Sequence, residues 1–440
     1  MIRSVKMAAV CLGLAGFSYT GTAQERERDA TLSAEEDQNQ LRIRSEQVVD
    51  LINGEIEPDA ILSEAFLQAL PVPQVKAFSN SLTSQYGQAV AVETFNPIGD
   101  TRAVLDVRFE RAIARGGIEI APDEDNRISG LRFTSIDPVA TDDDSAEKIS
   151  AELNALPGEV SAYFGPIGQD GTAPAISIQP DKQMPLGSAF KLYVLATLAQ
   201  DIAEGTRSWS DVVELQSKSF PSGRMQDWPQ GSPTTLHTLA VMMISISDNT
   251  ATDELVRVLG RDRILEVMAE TGHPSPELND PFMTTRELFL LKGGNQDRLQ
   301  TYRTANADLR RQILDGLEVN PPSAEDVEAA FLQGPRAIDV EWFASAKDLE
   351  KLFVSLDQGT DSQALNIMAV NSGLKPTVKE KWAYVGFKGG SEPGVLNFTW
   401  LLKDETGTRH LLVLSWSNPV ANVDEEKLLL LAERILLLPR

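Results

Sequence analysis

A serine three residues ahead of a lysine opens one of the most apolar stretches of this 440-residue chain, "PLGSAFKLYVLATLAQ" at residues 185–200. Lys191 is the only charged residue in it, and the rest reads as a helix that is hydrophobic on every side. Such a helix is normally buried. A buried ammonium is costly unless it is paired or gives up its proton. Residues three apart share a helical face, so the Lys191 amine can reach the Ser188 hydroxyl. A plainer reading makes Ser188 a helix cap and Lys191 a chain that snorkels to the surface. Two further Ser-x-x-Lys spacings, Ser145–Lys148 in a polar linker and Ser372–Lys375 in the loop "NSGLKP", read as solvated surface.

A second reactive cluster lies in "MMISISDNTATDELVRVLG", where Ser247-Asp248-Asn249 separates an apolar segment from a helix. A hydroxyl followed by a carboxamide can relay a proton and hold a substrate amide. The alternative is that Ser247 or Asp248 simply caps the helix. The third cluster is Lys388-Gly389-Gly390, between two strand candidates in "YVGFKGGSEPGVLNFTW". Glycine on an edge strand lets a ligand approach the backbone, and Gly390 is the residue expected to admit it. The other Lys-Gly-Gly, Lys292-Gly293-Gly294, ends the helical run "TTRELFLLK" and reads as a helix stop.

Ser188-x-x-Lys191, Ser247-Asp248-Asn249 and Lys388-Gly389-Gly390, in that order, resemble the motif set of class A β-lactamases and penicillin-binding proteins. The likeness runs from about residue 147 to 440 and includes "LHTLAVMMISISDNTATDELVRVLG" and "MTTRELFLL". It implies an acyl-enzyme serine hydrolase, most directly one opening β-lactams or related amides and esters. The other members it allows are a penicillin-binding peptidase or an esterase with slow deacylation, and a degenerate binding protein. By this resemblance Ser188 is the nucleophile, Lys191 its base and Ser247 the proton shuttle to the leaving nitrogen. Asn249 binds the substrate amide and Lys388 its carboxylate. The backbone amides of Ser188 and Ser391 form the oxyanion hole, worth about 3 kcal/mol per donor in such sites.

Two departures stand out. The family has Thr or Ser where this chain has Gly389, so a carboxylate-binding hydroxyl is missing, with Ser391 a partial substitute. In "SPELNDPFMTTREL", Ser275 stands where the water-activating glutamate belongs if Leu278-Asn279 match the family pair. Glu277 is the remaining candidate deacylation base, and its plain reading is an exposed loop carboxylate. Extra chain at about 292–340 could reshape the substrate mouth.

Positioning these groups calls for several elements. Arg3 and Lys6 before "MAAVCLGLAGF", with Ala23 at a cleavage point, read as an export signal over residues 1–23, too short to span a bilayer. A polar tether follows over 24–42. Residues 43–136 read as helices and then strands ("AVAVETFNPI", "TRAVLDVRFERAIA", "RISGLRFTSI"), a small α+β domain resembling the steroid-isomerase-like cone. Residues 137–146 read as a linker. From 147 to 440, strands at both ends enclose a helical middle. That pattern implies an antiparallel sheet flanked by helices plus an all-helical subdomain, an α+β or α/β class.

The composition bounds the chemistry further. A net charge of −24, with the acidic residues scattered, argues against nucleic acid and fits a small-molecule or peptide-like substrate. The one cysteine, Cys11, lies within the signal, so disulfide and thiolate chemistry are not expected after its removal. His237, His273 and His410 have no metal-ligand spacing, and no metal or cofactor is expected. No Gly-x-Ser-x-Gly elbow occurs to support a Ser-His-Asp site. After signal loss no membrane span remains in the pattern.

Overall fold

A computed structural model describes residues 39–139, 144–168, 172–319, 323–358 and 362–439. The expected signal and most of the tether lie outside them. The chain divides into two compact units between residues 143 and 144.

In the first unit the described residues are helical from 39 onward, inside the expected tether, and carry the buried stripe Leu41, Val48, Leu51 and Ile52. With the Val72–Tyr86 helix this helical run covers a four-stranded antiparallel meander. The strands are β1 (Ala89–Pro97), β2 (Arg102–Phe109), β3 (Ala112–Ala121) and β4 (Arg127–Pro138). Sequence reading ran β2 and the start of β3 together. The hairpin between them turns on Glu110 and Arg111, which carry none of the Gly, Asn or Asp that marks a two-residue turn.

The second unit is built on a five-stranded antiparallel sheet. In chain order its strands are β5 (Glu159–Pro166), β6 (Ile176–Ile178), β7 (Tyr384–Glu392), β8 (Val395–Lys403) and β9 (Arg409–Ser417). In space they run β7-β8-β9-β5-β6, so the two ends of the unit meet where β9 pairs with β5. Both sheet faces are buried. On one face Phe398, Trp400, Leu412, Leu414 and Trp416 pack with the Ala146–Asn154 and Glu425–Leu437 helices. On the other, Tyr163, Leu401, Leu411 and Val413 join the helical core around the Lys191–Ala203 helix. β7 is an edge strand, and this is what leaves its Lys-Gly-Gly segment available to a site. Among the described residues no helix is long and apolar enough to cross a membrane.

The helices that close the first sheet face are tied at one buried point. Arg434, in the terminal helix, reaches Asp144 at 2.5 Å and Glu152 at 2.7 Å, with its side chain and that of Asp144 each 1% exposed. Removing one partner of a buried pair strands the others. Arg434→Met is therefore expected to destabilise the second unit by about 3 kcal/mol. Urea unfolding followed by tryptophan fluorescence reads this unit alone, since all six tryptophans lie in it.

Candidate active site

The turn that carries Ser188 is a 3-10 segment, Gly187–Phe190, running directly into the Lys191–Ala203 helix. Gly187 sits at φ +49°, a left-handed conformation that side chains other than glycine rarely adopt. Leu186 N donates to Trp342 O at 2.9 Å, and the Trp342 ring stacks on Phe190 with centroids 3.6 Å apart. Backbone and ring together fix the turn from beneath. Leu192, Tyr193, Val194 and Leu195 are all buried, so the helix is enclosed on every side, and Lys191 is 0% exposed.

The Lys191 amine does not snorkel. Its Nζ donates to Ser247 O at 2.8 Å, Ser247 Oγ at 3.1 Å and Asn249 Oδ1 at 2.8 Å. Burial first, and the nearby Lys388 second, push its pKa well below that of a free lysine, against the weaker pull of Asp253 and Asp248. The environment favours the neutral amine, which has two N–H donors and would accept from the Ser247 hydroxyl in the third contact. Ser188 is half-buried, and among the described residues its Oγ forms no hydrogen bond.

Ser247 links the Leu236–Ser245 and Asn249–Leu259 helices at φ 58°, an uncommon value for a serine. The cap of the second helix is Asp248, whose carboxylate accepts from Ala251 N and also from Arg224 N and Met225 N. That leaves the Ser247 hydroxyl to the lysines. Gly223 lies so close to Asp248 that a Cβ on it would fall 2.3 Å from the carboxylate. Asn249 is buried with both ends of its amide engaged: Oδ1 accepts from Lys191, and Nδ2 donates to Phe220 O at 3.2 Å. Its amide oxygen thereby orients Lys191.

Lys388 arrives from β7. It is 3% exposed, and its Nζ donates to Ser247 Oγ at 3.1 Å and Gly389 O at 2.5 Å. Burial pushes its pKa down to about 7. Strand alternation puts Gly390 on the same face as Lys388. A Cβ on Gly390 would fall 2.1 Å from Leu186 O and 2.4 Å from Ser188 N, and one on Gly187 would fall 2.8 Å from Ser391 N. The glycine expected to admit a substrate thus admits the Ser188 turn, and the Ser188 and Ser391 amides lie at that contact. Gly389, on the opposite face, has its side-chain space filled. A Cβ there would lie 2.9 Å from Phe387 Cζ, and the Phe387 ring is stacked on Trp400 at 4.8 Å.

The structure brings Ser247 together with Lys191, Asn249 and Lys388, and packs the Ser188 turn on Gly390. Ser391 is exposed at the strand edge. Glu277 is also exposed, in the Pro276–Asn279 turn, while the buried Asn279 clamps that turn to the backbone of Phe343 at 2.8 and 3.1 Å. Ser145 caps its helix, accepting from Lys148 N, and Lys375 pairs with Glu433. Sequence reading missed Asp253. This buried carboxylate accepts from Ser219 Oγ and from the backbone of Thr285 and Arg286, joining three segments behind the site. In the sequence it is one of several polar residues in the amphipathic run "NTATDELVRVL", with nothing to set it apart from its neighbours.

The family model described as "Beta-lactamase enzyme family" matches residues 144–397. A search of curated proteins gives no significant match. Three solved structures illustrate the similarity to known folds. The structure of PBP-A is 19% identical, covering 66% of this chain and 94% of its own, with a TM-score of 0.46. The β-lactamase from Sphaerobacter thermophilus is 18% identical over 66% and 94%, with a TM-score of 0.45. The putative class A β-lactamase PenP from Rhodopseudomonas palustris is 13% identical over 66% and 97%, with a TM-score of 0.47.

Two outcomes are expected from this geometry. Binding of a carboxylate-bearing ligand weakens as the pH rises through about 7, where Lys388 loses its proton. Lys388→Arg removes that dependence, since a guanidinium stays charged; calorimetric titration across the neutral range reads both. Gly390→Ala forces the strand off the Ser188 turn and lowers the acylation rate about a hundredfold, while the circular dichroism spectrum is retained.

Proposed function

Because the chain belongs to the β-lactamase enzyme family, we propose that it is a serine hydrolase forming an acyl-enzyme on Ser188. The single observation that supports this most is the convergence of Lys191 and Lys388 on one hydroxyl, Ser247 Oγ, each at 3.1 Å. Ser188 Oγ attacks the carbonyl of a β-lactam or related amide or ester and forms the new C–O bond. Its proton passes to the neutral Lys191 amine. The amides of Ser188 and Ser391 hold the oxyanion. Ser247 then relays that proton from Lys191 to the leaving nitrogen as the C–N bond breaks, taking one from Lys191 as it gives one up, with Lys388 supporting the transfer and binding the substrate carboxylate. Export before action is part of the same reading, on the basic and apolar character of residues 1–23.

One observation favours slow release of the acyl group, as in a penicillin-binding peptidase or an esterase. The carboxylates that bear on Lys191 are Asp248 and Asp253, and both are occupied by backbone amides and hydroxyls. Glu277, the remaining candidate base, is exposed. Incubation with a penicillin should add the antibiotic's mass to the tryptic peptide containing Ser188, and Ser188→Ala should abolish the adduct. Absence of an adduct with penicillin, ester and peptide probes alike would overturn the assignment. Stopped-flow kinetics should show one fast turnover per enzyme followed by a much slower steady rate; a linear course without a burst would instead mean efficient deacylation.

A further inference from the structure

Behind the strand end that carries Ser391 lies a buried ionic cluster to which the mechanism assigns no role. Lys292, in the last turn of the Thr285–Gly293 helix, is 0% exposed, and its Nζ reaches Glu392 at 2.6 Å and Glu341 at 3.4 Å. Glu392 directly follows Ser391 and, by strand alternation, shares the face of Lys388 and Gly390. Glu341 directly precedes Trp342, the residue that stacks on Phe190 and accepts from Leu186 N. Its second oxygen accepts from Trp342 N at 3.1 Å. Lys292 and Glu341 also stand at the two ends of the extra segment noted in the sequence, so the cluster closes the base of that segment onto β7.

We infer that Lys292, Glu341 and Glu392 are positioning residues that hold the Ser391 amide against the Ser188 turn. The inference rests on Ser188 being the nucleophile of an acyl-transfer reaction. The cluster links the two backbones that meet at the oxyanion contact: β7 through Glu392, and the support of the Ser188 turn through Glu341 and Trp342. Because it holds two carboxylates and one ammonium, its charge is also not fixed. Glu392 faces Lys292 from the helix and Glu341 from the 340–344 segment, while its register partner on β8 is the apolar Val395. Burial pushes Glu392 up to about 8, against the pull of Lys292, and its Oε2 is buried without a hydrogen-bond partner. Below that pH Glu392 keeps its proton. Above it, an uncompensated negative charge develops one residue from an amide whose work is to stabilise another negative charge.

Pre-steady-state acylation of the full chain by a fluorescent penicillin and by a phenyl ester separates the rate constant of acylation from probe affinity. Glu392→Gln keeps the size of the side chain and cannot ionise. Relative to wild type it should acylate within about twofold at mildly acidic pH and several-fold faster at about pH 9, with affinity unchanged. Lys292→Met, which strands both carboxylates, should lower the acylation rate at least about tenfold at neutral pH with affinity within about twofold. Glu392→Gln carries the test if Lys292→Met fails to fold. A Glu392→Gln profile that superimposes on wild type across this range would overturn the inference while leaving Ser188 acylation intact. Failure of wild type to be labelled by either probe would overturn the nucleophile assignment and the inference with it.

Discussion

Two buried lysines share one hydroxyl, and the rest of the structure follows from that constraint. Lys191 and Lys388 each lie 3.1 Å from Ser247 Oγ, so their amines are at most about 6 Å apart. At that separation two full charges repel by on the order of 3 kcal/mol even at an effective dielectric constant of about 20. Neither has a carboxylate partner in its hydrogen bonds; their acceptors are a hydroxyl, a side-chain amide and backbone carbonyls. The site therefore disfavours carrying both protons at once. The deeper constraint falls on Lys191, which is pushed down by burial and by its neighbour. Placing a proton acceptor beside a proton donor at one pH is what a relay through Ser247 needs.

The fold achieves this with backbone shape more than with side-chain charge. Gly187 takes a left-handed turn, Gly390 allows the edge strand to touch that turn, and Gly223 lets the Asp248 carboxylate reach two loop amides. Ser247 is held in an uncommon conformation because Asp248, not Ser247, takes the capping role. Beneath the turn, Asn397, Thr399 and Ser415 are buried and satisfy one another across β8 and β9, at 2.8 Å for each bond. Polar side chains of this kind are costly in a sheet core unless fully paired, and paired they fix register. The register is what sets Lys388 opposite Thr399 and Gly390 opposite Asn397.

The parts legible in the sequence were those carried by local pattern. The all-round apolar helix predicted burial of Lys191, and the strand pattern around Lys388 predicted its sheet position. The helix stop at Gly293 is also where the structure ends that helix. What was not legible depended on distance. Lys292 looked like an ordinary helix-terminal lysine because its two carboxylates lie 49 and 100 residues away in the chain. The hairpin at Glu110-Arg111 was missed because tertiary pairing, not turn chemistry, sets it. Gly389 seemed to be a lost hydroxyl. The structure gives it a steric partner, since Phe387, two residues earlier on the same face, occupies the space a side chain would need.

The same distribution of charge bounds how the acyl group leaves. Hydrolysis of an acyl-enzyme needs a base that can deprotonate water within reach of the ester carbon. Asp248 accepts from three backbone amides and Asp253 from two amides and two hydroxyls, so the oxygens of each are already engaged within the protein, and burial raises the Asp253 pKa against those hydrogen bonds. Under the proposed function, the amine of Lys191 is the acceptor for both halves of the reaction. A single base used twice must lose its proton between the halves, and Ser247 is the donor-acceptor that connects it to Lys388. Release is thereby tied to the same relay as attack. Under the proposed function, a site built this way would form the acyl-enzyme without an independent means of discharging it, unless the substrate itself brings a group that can activate water.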